Sequence, residues 1–345
     1  MMNKLRKILF PFSVLYDGVT AFRNFLYEKN YLESAEFDVP VICVGNLNVG
    51  GTGKSPMIEF LISILKDQYN VAVLSRGYKR KAKGFLLVEK HHTVEEVGDE
   101  PLQFKHKFPN VLVAVDANRR RGIEKLKDQA GVILLDDAFQ HRKVKPFYSI
   151  LLTSYADLYI NDLLLPAGNL RESRSGAKRA NMIVVTKCPE KLPYSKQQQI
   201  HFDLKPEPHQ QVYFSTIAYA TTMQGLSEVK HLEYLEDKNF ALVTGIANPK
   251  PMVEYLSSLK LKFEHFSFPD HHNFSQTEIQ KLDTQKIILT TEKDFMRLKD
   301  KIKTAELYYL PISVSFLNKE EGFIERVLKA VSGMPELTEK DRVTD

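Results

Sequence analysis

The sequence predicts an α/β protein of the P-loop NTPase type, with a mostly parallel sheet covered by helices. Continuous apolar runs alternate with helix-like stretches between residues 39 and 187, and such runs are typical of parallel strands buried on both faces. A glycine-rich loop, "GGTGKS", follows the first run, and an acidic pair ends the fourth. Together these features indicate a sheet with a phosphate-binding loop at one strand end.

Apolar runs predict the individual strands. Those of the first sheet lie at 39–46, 70–77, 110–116, 131–137, 148–154 and 182–187. The run at 212–219 alternates in polarity and predicts a strand that pairs near 228–235. Later runs indicate either a smaller second domain or a continuation of the same sheet, and they lie at 240–245, 261–268, 286–291 and 307–314.

Length and charge set the class of protein. The 345 residues predict two domains. The 48 basic and 43 acidic residues give a net charge of +5, which does not indicate a nucleic-acid binder and fits an anionic substrate or an anionic membrane surface equally well. Cys43 and Cys188 lie in apolar runs without metal-ligand spacing, so we expect buried, reduced thiols.

The N-terminal segment has a basic start followed by an aromatic-rich stretch. Asp17 and Arg23 interrupt its apolar character, which excludes a signal peptide, and no apolar window is long enough for a transmembrane helix. Four apolar residues share one helical face: Leu15, Val19, Phe22 and Leu26. The pattern fits an interfacial anchor or a helix packed on the core, and spacing alone favours the core.

The stretch "VGNLNVGGTGKSP" has the strand–loop–helix setting of a Walker A loop. Its glycines let backbone N–H groups surround a phosphate, Lys54 can reach the outer phosphates, and the Ser55 hydroxyl can ligate Mg²⁺. Asn48 replaces the first glycine of the usual pattern. The predicted nucleotide-binding residues are Asn48, Val49, Gly50, Gly51, Thr52, Gly53, Lys54 and Ser55.

Asp136 and Asp137 end an apolar strand, where a Walker B acid would bind or orient the metal. Taken alone, the pair fits an acidic turn equally well, and the upstream loop favours the metal role. The guanine-specific N-K-x-D motif is absent: "VVTKCP" has Pro189 in place of the aspartate, and "TTEKD" has the wrong spacing. The nucleotide is therefore predicted to be ATP.

Polar clusters follow the predicted strands, at the edge where open α/β sheets bind ligands. They are "SRGYKR" (75–80), "GDEP" (98–101), "DANRRRG" (116–122), "DDAFQHR" (136–142) and "PAGNLRES" (166–173). Arginines beside aromatic and amide side chains suit a sugar or phosphate-bearing acceptor. In "SFPDHHNF" (267–274), Asp270 could orient His271, although the spacing does not establish a catalytic role.

These motifs, in this order, resemble the tetraacyldisaccharide 4′-kinase family of the lipid A pathway of Gram-negative bacteria. The resemblance rests on "GNLNVGGTGKSP", "SRGYKR", "GDEP", "DDAFQH", "PAGNLRES" and "FPDHHNF", and it spans about residues 10 to 300. Two positions depart from the common pattern. Ala138 replaces a glycine, which matters only if that backbone needs a positive φ, and Ser55 replaces a threonine and keeps the hydroxyl.

The resemblance implies that ATP phosphorylates the 4′-hydroxyl of an acylated glucosamine disaccharide 1-phosphate, giving the 1,4′-bisphosphate. It implies a peripheral, monotopic protein on the cytoplasmic face of the inner membrane, with Mg²⁺ as cofactor and with no nucleic-acid partner and no obligate protein partner. An acylated substrate also favours membrane docking for residues 1–27. The implied domains are a membrane-associating helix (1–27), a P-loop kinase domain (28–205), a β-ribbon linker (206–238), a smaller C-terminal α/β domain (239–330) and a flexible tail (331–345).

Site residues are carried over by motif position. The resemblance implies Asp99 as general base with His271 as its partner, and Lys54 as the phosphate-binding lysine. The implied metal shell is Ser55, Asp136, Asp137, Gln140 and Glu172. The implied acceptor-binding residues are Asn46, Arg76, Tyr78, Arg119, His141, Asn169 and Arg171, with three possible registers for the arginine in "NRRRG".

Two other functions share the phosphate loop. A soluble P-loop kinase of another sugar needs no anchor and would phosphorylate a deacylated disaccharide equally well. A P-loop NTPase that is not a kinase would turn over nucleotide without an acceptor.

Overall fold

The structure, a computed structural model, describes residues 4–333 and contains two β-sheets. The α-helices are α1 (Phe10–Glu28), α2 (Lys54–Leu65), α3 (Val94–Val97), α4 (Asp99–Lys107), α5 (Arg119–Leu126), α6 (Tyr194–Leu204), α7 (Lys250–Ser258), α8 (Gln276–Asp283), α9 (Glu292–Leu298) and α10 (Glu320–Ser332). The strands are β1 (Val41–Asn46), β2 (Val71–Ser75), β3 (Leu86–Leu87), β4 (Leu112–Val115), β5 (Val132–Asp136), β6 (Tyr148–Ser154), β7 (Met182–Thr186), β8 (Gln211–Tyr219), β9 (Thr222–Gln224), β10 (Val229–His231), β11 (Asn239–Thr244), β12 (Lys262–Ser267), β13 (Ile287–Thr290), β14 (Glu306–Tyr309) and β15 (Ile312–Phe316).

The larger sheet has nine strands in the order β15-β8-β7-β6-β1-β5-β2-β4-β3. Neighbours from β8 to β4 are parallel, and only β3 and β15 at the two edges run antiparallel. Every residue of β1, β2, β5 and β7 is buried, as expected for strands covered by helices on both faces. The predicted fold class, a mostly parallel sheet covered by helices, is confirmed.

A second sheet of six strands has the order β10-β9-β14-β13-β11-β12, in which β12, β11, β13 and β14 are parallel. The structure therefore contains a separate smaller sheet rather than a continuation of the first. Residues 307–314, read as one strand, divide into β14 and β15, which belong to different sheets. Pro311 lies between them and has no N–H for a continuous ladder.

The connection between the sheets differs from the predicted ribbon at 206–238. β8 joins the larger sheet, where it pairs with β7 and β15, and the segment near 228–235 pairs with β9 instead. The chain leaves the larger sheet after β8 and returns to it at β15, after β14. The two connections between the sheets therefore follow β8 and precede β15.

The returning segment includes α10, which packs against elements of the larger sheet and its helices. The Phe323 ring lies 5.9 Å from the ring of Phe60 in α2 and 5.3 Å from that of Tyr213 in β8. The last part of the predicted C-terminal domain at 239–330, namely β15 and α10, therefore packs with the larger sheet and not with the smaller one. Of the predicted tail at 331–345, residues 334–345 lie outside the described residues, and 331–332 belong to α10.

Helix α1 packs with its polar side inward. Ser13, Thr20 and Asn24 are buried, whereas the predicted apolar face is largely exposed: Leu15 is 70% exposed and Phe22 is 62% exposed. This arrangement is opposite to a helix packed on the core, which spacing alone favoured. Among the described residues, no helix is both long enough and apolar enough to cross a bilayer. Cys43 and Cys188 are buried free thiols, as predicted.

Candidate active site

The phosphate loop lies between β1 and α2, as its sequence predicts. Gly53 precedes the helix with φ at 88°, a left-handed conformation that glycine adopts without strain. Lys54 Nζ lies 3.4 Å from Asn46 Oδ1 and 3.6 Å from Asp137 Oδ1. Asn48, at the unusual position, is buried and donates a 2.9 Å hydrogen bond to Asp162, which anchors the loop to a neighbouring segment.

Asp136 and Asp137 lie at the end of β5, beside this loop. The Ser75 hydroxyl donates to Asp136 Oδ2 at 3.0 Å, and Asp136 Oδ1 has no hydrogen-bond partner within residues 4–333. Burial, followed by the charges of Glu100 and Asp137, raises the pKa of Asp136 to about 7. A carboxylate with a free oxygen in this setting can accept a cation.

Asp137 has a different environment. It forms ion pairs with Lys54 and Arg171, and Arg171 reaches both carboxylate oxygens, at 3.0 and 3.2 Å. Burial alone would raise the pKa of Asp137, but the Lys54 and Arg171 charges outweigh it and lower that pKa. Its φ is 49°, so the positive φ falls on Asp137, whereas Ala138, which replaces a glycine, has no positive φ.

Glu172, which the resemblance assigns to the metal shell, has several hydrogen-bond partners in this structure. Its fully buried carboxylate accepts hydrogen bonds from Arg179 at 2.9 Å, from Asn24 at 2.9 Å and from Gln140 at 3.0 Å. The Gln140 amide also donates to Asn46 O at 2.8 Å. Gln140 Oε1 accepts from Arg171 at 3.4 Å, so both side chains have hydrogen-bond partners, whereas Asp136 Oδ1 has none among the described residues.

Asp99 and His271 come together although they belong to opposite halves of the molecule. Asp99 begins α4, directly after Gly98, whose φ of 94° again requires glycine. His271 Nδ1 lies 3.0 Å from Asp99 Oδ2, and Arg297 from α9 forms an ion pair with the same oxygen. Burial would raise the pKa of Asp99, but His271, Lys293 and Arg297 hold it well below its usual range. Asp99 is therefore ionised at neutral pH.

Sequence reasoning missed the residue next to Asp99. Glu100 Oε1 accepts the Ser55 hydroxyl at 2.8 Å and lies 2.5 Å from Lys293 Nζ. The adjacent acids of "GDEP" therefore face two ways: Asp99 faces His271, and Glu100 faces the phosphate loop. The motifs also do not identify Lys293, which lies in "TTEKD", or Arg297, three residues beyond that segment. The signal that could have identified them is their place in α9, the helix that follows β13 at the strand end where such sheets bind ligands.

Of the implied acceptor residues, several line the same sheet edge. Arg171 lies beside Asp137, and the Tyr78 ring, 57% exposed, lies 5.5 Å from the His271 ring. Arg76 is exposed. Asn169 accepts a hydrogen bond from Arg6 at 2.9 Å, so it faces the N-terminal segment.

Two other implied acceptor residues are turned inward. Arg119 is 2% exposed and donates to the backbone oxygens of Asp116 and Asp136. Its guanidinium therefore holds the backbone at Asp136 and does not face solvent. Arg121 pairs with Asp116 and Arg120 with Glu33. Burial, followed by the Arg119 charge, lowers the pKa of His141 to about 4, so His141 is neutral at physiological pH.

The residues present fit a magnesium ion bound together with a nucleotide. Within the described part of the chain, no cluster of three or more His, Cys, Asp or Glu side chains could hold a metal by protein ligands alone. Mg²⁺, however, is usually held by one or two carboxylates together with substrate phosphates and water. The Ser55 hydroxyl and the unpartnered Asp136 oxygen supply such a set.

A strand–loop–helix unit in which Lys54 and Ser55 begin the helix, with acids at the end of the neighbouring strand β5, defines a P-loop protein that binds a nucleoside triphosphate. Comparison with known proteins narrows this class. The chain belongs to the tetraacyldisaccharide-1-P 4′-kinase family, whose model matches residues 5–332. It is a kinase of lipid A biosynthesis, as its motifs predicted.

Relatives and a solved structure agree with this assignment. The tetraacyldisaccharide 4′-kinase of Flavobacterium johnsoniae is 51% identical over 336 residues, which cover 96% of this chain and 98% of the relative. That of Parabacteroides distasonis is 44% identical and covers 95% of each chain. The crystal structure of "apo" form LpxK from Aquifex aeolicus in complex with ATP is 31% identical, with a TM-score of 0.78, and the match covers 95% of this chain and 99% of that one.

Proposed function

We propose that the protein transfers the γ-phosphoryl group of ATP to the 4′-hydroxyl of a tetraacylated glucosamine disaccharide 1-phosphate, with Asp99 as general base. The observation that carries this proposal is the pair of adjacent acids at the start of α4. Asp99 contacts His271, and Glu100 contacts the Ser55 hydroxyl of the phosphate loop. Two consecutive residues thus provide the proposed base, Asp99, and a direct contact to the phosphate loop, through Glu100.

The chemistry assigns a role to each group. A sugar hydroxyl is a poor nucleophile at neutral pH, and the ionised Asp99 orients it and accepts its proton as the new P–O bond forms. Lys54 and the loop N–H groups hold the phosphates, and Arg171 lies where it can approach the acceptor or the phosphates. Ser55 and Asp136 would hold Mg²⁺, which would supply positive charge near the transferred group. Positioning and charge neutralisation supply most of the acceleration.

The acceptor carries four acyl chains, so the protein must meet it at a membrane surface. The exposed apolar residues of the N-terminal segment support this step: Ile8, Leu9, Phe10, Phe12, Val14, Leu15, Val19, Phe22 and Phe25. A contiguous apolar face of this kind is typical of helices that lie in the bilayer interface. We infer peripheral attachment to the inner membrane through α1, on the side where ATP is available.

The test uses labelled ATP and a lipid A precursor that lacks its 4′-phosphate. We expect a bisphosphorylated lipid from the wild type and a loss of about 10²-fold or more in kcat for Asp99→Asn, the usual contribution of proton-transfer catalysis. Asp67→Asn makes the same chemical change at an exposed position and should have no effect. Near-normal turnover by Asp99→Asn removes Asp99 from the mechanism, and equal turnover of a deacylated disaccharide favours the soluble kinase.

A further inference from the structure

The segment "TTEKD" brings a lysine from the smaller sheet to the phosphate loop. Thr291 caps α9, and its hydroxyl accepts from Asp294 N at 3.2 Å, so the backbone around Lys293 is fixed. Lys293 Nζ lies 2.5 Å from Glu100 Oε1 in α4, which belongs to the opposite half of the molecule. Lys293 therefore bridges the cleft between the two halves at the level of the active site.

Glu100 places this lysine close to the loop itself. The same oxygen, Glu100 Oε1, accepts the Ser55 hydroxyl at 2.8 Å, so Lys293 Nζ is within two hydrogen-bond lengths of that hydroxyl. Lys54, the residue before Ser55 in the loop, has its Nζ 3.6 Å from Asp137 Oδ1. Two cations from different halves of the molecule thus lie close to the phosphate loop.

The surroundings of Lys293 keep it charged. Its side chain is 28% exposed. Burial alone would lower its pKa, but the charges of Glu100 and Asp99 outweigh burial and raise that pKa well above its ordinary value. A protonated amine held by one carboxylate can exchange that partner for a phosphate oxygen without changing its protonation state.

We propose that Lys293 is a catalytic residue of this kinase, which leaves Glu100 and contacts the terminal phosphoryl group of bound ATP during transfer. In this step the bond between that phosphorus and the ADP oxygen breaks, the bond to the acceptor oxygen forms, and the hydroxyl proton passes to Asp99. Lys293 keeps all three of its protons and supplies only positive charge where negative charge is redistributed. This inference rests on the proposed function.

The alternative role for Lys293 is a salt bridge that merely holds Glu100 in place. The two roles predict different activities for Lys293→Met when Glu100 is also replaced. If Lys293 serves only to neutralise Glu100, Glu100→Gln should restore activity to Lys293→Met, because the buried carboxylate would no longer lack a partner. If Lys293 contacts the phosphoryl group, Lys293→Met stays impaired in the Glu100→Gln background.

Nucleotide binding gives a second readout that does not depend on turnover. ADP lacks the phosphate that Lys293 is proposed to contact, and a non-hydrolysable ATP analogue has it. We expect Lys293→Met to bind ADP like the wild type and to bind the analogue about fivefold or more weakly, a loss on the order of 1 kcal/mol. Both affinities are measured by titration calorimetry with magnesium present, and both are compared with those of Lys250→Met, which alters a lysine that is 78% exposed.

Kinetics complete the test. We expect kcat for Lys293→Met to fall about 10²- to 10³-fold, the usual cost of losing one transition-state charge partner, and Lys293→Arg to retain more activity. Lys293→Gln replaces Lys293→Met if the latter does not give a normal thermal melt. Unchanged kcat, equal losses for ADP and analogue, or rescue by Glu100→Gln would each overturn the proposal. Failure of the wild type to phosphorylate the lipid acceptor would refute the proposed function instead, and the ADP-against-analogue comparison would still test Lys293.

Discussion

Asn24 Nδ2 in helix α1 donates a 2.9 Å hydrogen bond to Glu172 Oε2, the buried carboxylate that follows Arg171. Two further side chains of α1 also donate hydrogen bonds to this region: the Tyr16 hydroxyl to Arg171 O at 2.8 Å, and the Ser13 hydroxyl to Leu164 O at 2.9 Å. Polar side chains therefore dock α1 on the loop that carries Arg171. As a consequence, the apolar side of the helix faces outward, beside the proposed acceptor site.

The outward face gives the first prediction, which concerns Phe12→Ser combined with Phe22→Ser. These rings are 63% and 62% exposed, so their removal should leave folding intact. Each ring that enters a bilayer interface contributes about 1.5–3 kcal/mol, so we expect at least a tenfold loss of affinity for anionic phospholipid vesicles. Vesicle co-sedimentation measures the change, and activity on detergent-dispersed acceptor should fall far less.

Phe202→Ser is the matched control, because Phe202 is 72% exposed on α6, outside the N-terminal segment. Equal vesicle binding by the double variant and the wild type would show that α1 is not the docking surface. Point substitutions are more informative here than deletion of residues 1–27, because the deletion also removes the Asn24 and Tyr16 contacts to the active-site loop.

The sequence was sufficient where local pattern and tertiary environment agree. Continuous apolar runs predicted the central strands because a strand buried on both faces cannot alternate, and "GGTGKS" predicted its own loop because the phosphate-binding conformation is local. The sequence pattern gave the wrong packing for α1, because periodicity identifies an apolar face but does not show whether that face contacts the rest of the protein. It also failed at Glu100 and Lys293, which are far apart in sequence and meet only when the two sheets do.

Arg297 gives a second prediction, on the pH dependence of turnover. Its guanidinium pairs with Asp99 and lies 3.0 Å from His271 Nδ1. Burial would raise the pKa of Asp99, and His271, Lys293 and Arg297 together lower it, so removing one of these cations must raise it again. Since the ionised form is the active one, we expect the acidic limb of the kcat/KM profile to move to higher pH in Arg297→Gln.

Arg297→Lys is the comparison for this profile, because it keeps the charge and should shift the limb less. Arg297→Gln also leaves the buried Asp294 carboxylate without its guanidinium partner, which costs about 3–5 kcal/mol, so rates are measured well below the melting midpoint. A variant that loses kcat while its acidic limb stays in place would mean that Arg297 does not act through Asp99.

A buried ion cluster across the two halves of the molecule gives the third prediction. Lys107 Nζ lies 2.6 Å from Glu59 Oε2 and 3.3 Å from Glu292 Oε2, and Glu292 Oε1 has no hydrogen-bond partner among the described residues. Burial, followed by the Glu59 charge, raises the pKa of Glu292 to about 7. The single positive charge of Lys107 therefore does not neutralise both carboxylates. Glu292 has the longer contact to this lysine and one oxygen without a partner.

The sign of the pH effect follows from proton binding. Between the ordinary pKa of 4.5 and the folded value of about 7, folded Glu292 holds a proton that the unfolded chain has released. Stability contributed by this group therefore falls as pH rises through that window, and the penalty is complete above it. Glu292→Gln cannot ionise, so its free energy of unfolding relative to wild type should improve from pH 4.5 to pH 8 by on the order of 3 kcal/mol. Urea unfolding at both pH values measures this difference, with the exposed Glu321→Gln as control; a difference between variant and wild type that does not change with pH would show that Glu292 titrates normally in the folded protein.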